Sequence, residues 1–129
     1  MDWWDKLIED APMDKKSNPE LKRWYRKINR LYFAGALPDN VIVHWDSTEP
    51  DVACTEKLDK DDPTAYVISF NPKKNPTKSI LLSSLLHEMV HVFLKFSDNH
   101  GPAFDKAHRM LVKKGAFKKG ALIPNVTLF

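Results

Sequence analysis

At 129 residues, 43% hydrophobic and 29% charged, the chain is sized for one globular domain. A chain of that length buries roughly two-thirds of its unfolded surface, enough for a core and one deep site. Its single cysteine, Cys54, excludes an intrachain disulfide and any cysteine-built zinc ribbon, and fits a reducing compartment. The formal net charge is only +3, no apolar run is long enough to span a membrane, and Met1-Asp2-Trp3-Trp4-Asp5 has no signal-like core, so a cytoplasmic or nucleoid-associated protein is expected, neither secreted nor membrane-bound.

In chain order, Trp3 to Asp10 has the spacing of a short amphipathic helix, with Pro12 as its stop and a polar loop from Asp14 to Pro19. Asn18-Pro19-Glu20 then combines a capping Asn, a first-turn Pro and a first-turn acid, a helix start. Leu21, Trp24, Tyr25, Ile28, Leu31 and Tyr32 recur at helical spacing, and Gly35 with Pro38 ends the helix. Val41 to Trp45 and Ala65 to Phe70 read as strands, Ala53 to Lys57 as a weaker one, and Asp59 to Pro63 as a turn. Their short connections predict a small, mostly antiparallel three-stranded sheet. Asn75-Pro76-Thr77 opens a second helix over Ser79 to Phe96, apolar almost all round and therefore buried. Ser97-Asp98-Asn99 breaks it. Gly101-Pro102 starts another, Ala103 to about Lys114, with Phe104, Ala107, Met110 and Leu111 facing inward. The expected class is α+β, one domain over 1–129, with 1–19 an N-terminal extension and 115–129 a C-terminal tail.

The buried helix carries the chemistry. His87-Glu88-Met89-Val90-His91 matches H-E-x-x-H, which sets two imidazoles one helical turn apart on one face with a carboxylate between them. Both ring nitrogens can reach one metal ion, and Glu88 can take a proton from a water at that metal. The plainer reading is a solvated helix face. Against it, Ser84, His87, Glu88, His91 and Lys95 form a polar stripe on an otherwise apolar helix. Burying two imidazoles and a carboxylate without partners costs several kcal/mol, which a metal would offset. Catalytic zinc takes three protein ligands and keeps one position open. His100, Asp105 and His108 are the candidates for the third, with His100 first because the break at 97–99 lets the chain turn back toward the metal. Metzincin spacing would need a histidine where Ser97 stands. The thermolysin-type pattern would need a glutamate where Met110, Leu111 and Val112 stand.

These residues resemble the SprT-like (Spartan-type) zinc metalloproteases. The resemblance runs from about Glu20 to Lys114. It rests on His87-Glu88-x-x-His91 followed by His100-Gly101-Pro102-x-Phe104, an H-G-x-x-F-like second motif. Upstream, Leu31-Tyr32-Phe33-Ala34-Gly35-Ala36-Leu37-Pro38 is similar to the family's Y-F-x-G-x-L-P segment, and Ile68-Ser69-Phe70-Asn71-Pro72 to its strand ending in N-P. The resemblance implies a compact zincin-like core and one zinc ion held by His87, His91 and His100, with Glu88 as general base. It further implies protein substrates, notably proteins crosslinked to DNA. The chain lacks the cysteines of the C-terminal zinc ribbon that many relatives carry, so the resemblance covers the catalytic core alone.

Around that core the residues leave alternatives open. Tyr66, His108, Lys95 and Arg109 are candidates to stabilise oxyanion charge, each with a structural or solvated reading beside it. His44 reads as a sheet-face residue. The strand Tyr66 to Phe70 is expected to offer an edge to an extended peptide. Lys22, Arg23, Arg26, Lys27 and Arg30 form either the solvated side of their helix or a phosphate-contacting surface for DNA, joined by Lys113, Lys114, Lys118 and Lys119. An acidic segment, Asp39 to Asp62, separates the two basic ones. The two expected functions are therefore a zinc metalloprotease acting on protein or peptide, with DNA as a candidate partner, and a zinc-binding effector module without peptidase activity that docks through Trp3, Trp4 and the basic faces.

Overall fold

Asn18 caps the helix that opens the fold, its Oδ1 accepting from the backbone N–H of Glu20 at 3.0 Å and Leu21 at 3.1 Å. The computed structural model describes residues 17–58, 61–62, 64–94 and 102–115, apart from the Phe104 side chain. The expected helix at 3–10, Lys95, His100, Gly101, Lys118 and Lys119, and the tail beyond 115 lie outside those residues.

Helix α1 spans Pro19–Tyr32. Leu21, Tyr25, Ile28 and Tyr32 are buried along it, as the spacing predicts, while Leu31 is 53% exposed and belongs to the flank of the apolar stripe. The helix ends at Phe33. Ala34 and Gly35 both take positive φ, 52° and 76°, and the Gly35 N–H returns to the Asn29 carbonyl at 2.9 Å. Glycine suits this left-handed turn. Asn29, buried on the same helix, clamps the returning chain: its amide donates to the Leu37 carbonyl and its Oδ1 accepts the Leu37 N–H, both at 3.1 Å. Tyr25 donates its hydroxyl to the Pro38 carbonyl at 2.7 Å.

Three strands follow: β1 (Ile42–Trp45), β2 (Ala53–Lys57) and β3 (Tyr66–Phe70). The sheet order is β1-β3-β2, with β1 parallel and β2 antiparallel to β3. The α+β class holds, and the sheet is mixed where a mostly antiparallel one was expected. The reason is where the apolar run falls. Tyr66-Val67-Ile68-Ser69-Phe70 is buried at every position but Ser69, so it takes the middle of the sheet, and the chain reaches the outer place of β2 first. This overturns the expectation that β3 offers an edge to a peptide: both its sides are paired, and the strand at the edge beside the motif is β2.

Helix α2 (Lys78–Phe93) lies over β2, starting at Thr77, whose Oγ1 accepts from the Ile80 N–H at 3.2 Å. Every residue from Leu82 to Val92 is buried. Asn75 fastens this helix to the sheet. Its Nδ2 donates to the Val52 carbonyl at 2.9 Å and the Asn71 carbonyl at 2.8 Å, and its Oδ1 accepts from the Ser84 hydroxyl at 2.8 Å. Helix α3 (Pro102–Lys113) packs against α2 through Ala107 and Leu111. Met110, expected inward, is 46% exposed because Ala107 and Leu111, four apart, already define the inward line. One core joins α1, the sheet, α2 and α3. Among the described residues no helix is long and apolar enough to cross a membrane.

Candidate metal centre

Ser84, His87, Glu88 and His91, the members of the polar stripe that lie on α2, are buried. His87, Glu88 and His91 are exposed by only 8%, 6% and 6%. The i, i+4 spacing places the two imidazoles edge to face, ring centroids 5.0 Å apart. One ligand atom from each of the three residues falls within 4.8 Å of the others, the single such group of potential metal ligands among the described residues. Two imidazoles with a carboxylate beside them in one small volume could hold a divalent cation. Their burial in an apolar helix is what a metal would compensate.

Glu88 is held by a residue the sequence did not single out. Thr55, buried in the middle of β2, donates its hydroxyl to Glu88 Oε1 at 3.0 Å. The other oxygen, Oε2, stands 3.9 Å from His87 Nε2. The two carboxylate oxygens thus face different partners. Burial pushes the Glu88 carboxyl up to about 7; the Thr55 hydrogen bond opposes that rise, and the nearby charges of Glu49 and Asp51 add to it. Thr55 is 33 residues from Glu88 in sequence, and a threonine in a weak strand carries no motif.

The other expected residues are scattered. Tyr66 is buried in the core on β3. Asp105, His108 and Arg109 are exposed on α3, and none belongs to the ligand group; the Arg109 guanidinium donates to the Asp105 carbonyl at 3.4 Å. Neither Asp105 nor His108 is therefore brought to His87 and His91 as a third ligand. His44 lies on the sheet, its Nε2 2.8 Å from the Ser69 hydroxyl, as a sheet-face residue. Cys54 is a free thiol that burial and the surrounding carboxylates push up to about 11, so it stays protonated near neutral pH.

The edge beside this centre has a defined polarity. In the β2–β3 ladder the Asn71 N–H donates to Val52 and the Leu58 N–H to Ala65, so even-numbered residues of β2 bond to β3. The backbone groups of Ala53, Thr55 and Lys57 then point to the outer side, where no strand pairs among the described residues.

Most basic residues of α1 lie around a groove of their own. Lys22, Arg23, Arg26 and Arg30 line a groove of about 770 Å³ closed by the turn at Gly35, Leu37 and Asp39. Arg26 makes a two-point ion pair with Asp39, at 2.9 and 3.1 Å, which holds that carboxyl below its usual range. Lys22 donates to the Asp39 and Val41 carbonyls. Lys27 and Lys78 sit over the Trp24 ring, 5.4 and 4.5 Å from its centroid. Lys114 donates to the Tyr32 carbonyl at 3.0 Å.

No protein-family model matches the chain, and no curated protein or solved structure is found to be similar to it.

Proposed function

We propose that the chain is a zinc-dependent peptidase of the SprT-like kind, with His87 and His91 as metal ligands, His100 as the third ligand and Glu88 as general base. One observation carries the reading: two imidazoles and a carboxylate, all buried, share one small volume beside a strand edge that no other described strand pairs. Zinc in that position would polarise a scissile carbonyl and make a bound water acidic. The chain's own residues supply the rest. Glu88 takes the proton of the attacking water and returns it to the leaving amine. A carboxyl lifted toward neutrality by burial suits a group that must both accept and deliver a proton. The outward N–H and C=O groups of Ala53, Thr55 and Lys57 orient an extended peptide across α2. The groove of α1 is the proposed contact for DNA, which would bring the enzyme to DNA-associated protein substrates.

The reading is tested by zinc content and by hydrolysis of an unfolded protein substrate. Wild type should hold one zinc per chain and cut. Glu88→Gln should hold zinc with activity down by about 10²- to 10⁴-fold, the usual worth of a positioned base. His87→Ala and His91→Ala should lose the metal. A wild type that loads zinc and cuts nothing, with or without DNA, would instead favour the zinc-binding effector module.

A further inference from the structure

The carboxylate of Glu88 is not symmetric in its surroundings. Oε1 is taken by the Thr55 hydroxyl at 3.0 Å, and Oε2 is the oxygen on the side of His87 Nε2. A glutamate side chain has three rotatable torsions, and on a helix it would sample several positions of its carboxylate. Thr55 is poorly placed to do likewise. It is β-branched, it sits in the middle of β2, and its register partner across the ladder is Ile68, which is fully buried. Its hydroxyl is therefore a fixed donor delivered from the sheet to the helix. The same residue has its backbone N–H and C=O turned to the outer edge of β2.

We infer that Thr55 is the positioning residue of the site. It locks one oxygen of Glu88 so that the other is the oxygen that works, and it ties that oxygen to the strand edge on which substrate lies. The inference rests on the peptidase reading and deepens it. Thr55 touches neither the metal nor the reacting atoms. Its effect passes through Glu88, so its removal lowers turnover and leaves the metal site filled. A peptide held against the edge at Ala53, Thr55 and Lys57 is then in fixed register with Oε2, because one residue sets both.

The test uses Thr55→Val, which keeps the shape and removes the hydroxyl, and Thr55→Ser, which keeps the hydroxyl. In the full-length protein, Thr55→Val should lower kcat by ten- to a hundredfold with KM within about threefold and zinc per chain unchanged; Thr55→Ser should recover kcat to within about fivefold of wild type. In a Glu88→Gln background Thr55→Val should cost no further activity, since the basic oxygen whose place it sets is already gone. A Thr55→Val enzyme within twofold of wild type overturns the inference, and so does a serine variant as slow as the valine one. Chemical unfolding of Thr55→Val, Glu88→Leu and the double variant reads the hydrogen bond without reference to activity, leucine being used because a glutamine oxygen would still accept from the Thr55 hydroxyl. Additive shifts in the midpoint refute the bond. Should wild type bind zinc and cut nothing, the peptidase reading and the positioning role fall together, while a non-additive cycle would show that the bond itself had been read correctly.

Discussion

Glu88 concentrates the energetics of the site in one side chain. Its carboxyl stands at about 7 against an ordinary 4.5, mainly because burial disfavours the charge. The metal-free folded chain therefore keeps a proton that the unfolded chain gives up near 4.5. The stability linked to that proton is complete below the unfolded value and is lost as pH rises through the folded one. Between about pH 5 and pH 8 the loss should be roughly 2 to 3 kcal/mol. Urea unfolding of the metal-stripped protein at both pH values should show it, and Glu88→Gln, which has no proton to lose, should show a flatter dependence. Equal pH dependence of the two proteins would mean that Glu88 is solvated rather than buried. Zinc should flatten the wild-type dependence too, because a cation beside the carboxyl favours its charged form.

Among the elements, what was legible in the sequence followed from local physics. The cap at Asn18, the apolar spacing of α1, the strand positions and the buried α2 depend on residues within a few places of one another. So does the pairing of His87 with His91, which one helical turn fixes. The order of the strands does not. It is set by which strand is apolar enough for the middle, and it moved the open edge from β3 to β2. Thr55 was illegible for the same reason, since it joins Glu88 only once β2 is placed under α2. The edge carries its own prediction. Ala53→Pro and Lys57→Pro each remove an outward N–H while leaving the β2–β3 ladder whole, which proline tolerates on an edge strand. Each should keep its melting temperature within a few degrees and lower kcat/KM on a peptide substrate about tenfold, the worth of one backbone hydrogen bond. Glu56→Pro removes an inward N–H and should destabilise the sheet instead. Full cleavage by both folded edge variants would place the substrate elsewhere.

For the whole molecule, the distribution of charge matters more than its sum. Glu49 and Asp51 of the acidic segment act on Glu88, while Asp39, at the start of that segment, lies with the cations of α1 in another groove. Within that groove the cations are unequal. Asp39 engages Arg26, which is itself exposed, and backbone carbonyls engage Lys22, whereas Arg23 and Arg30, both exposed, have no such engagement among the described residues. Two phosphate contacts imply a salt slope of about −2, which is a loss of roughly fifteenfold in affinity between 50 and 200 mM salt. Fluorescence anisotropy with a labelled oligonucleotide measures it. Arg23→Glu with Arg30→Glu should abolish binding at the lower salt concentration. Asp39→Asn should tighten it and steepen the slope, because it releases Arg26 for a further phosphate. Tightening by Asp39→Asn separates a groove built for a polyanion from a helix that is merely well solvated, since a solvated face has no engaged cation to release. An affinity that neither the arginine pair nor Asp39 alters would remove α1 from DNA contact and leave its charges as the solvated side of a helix.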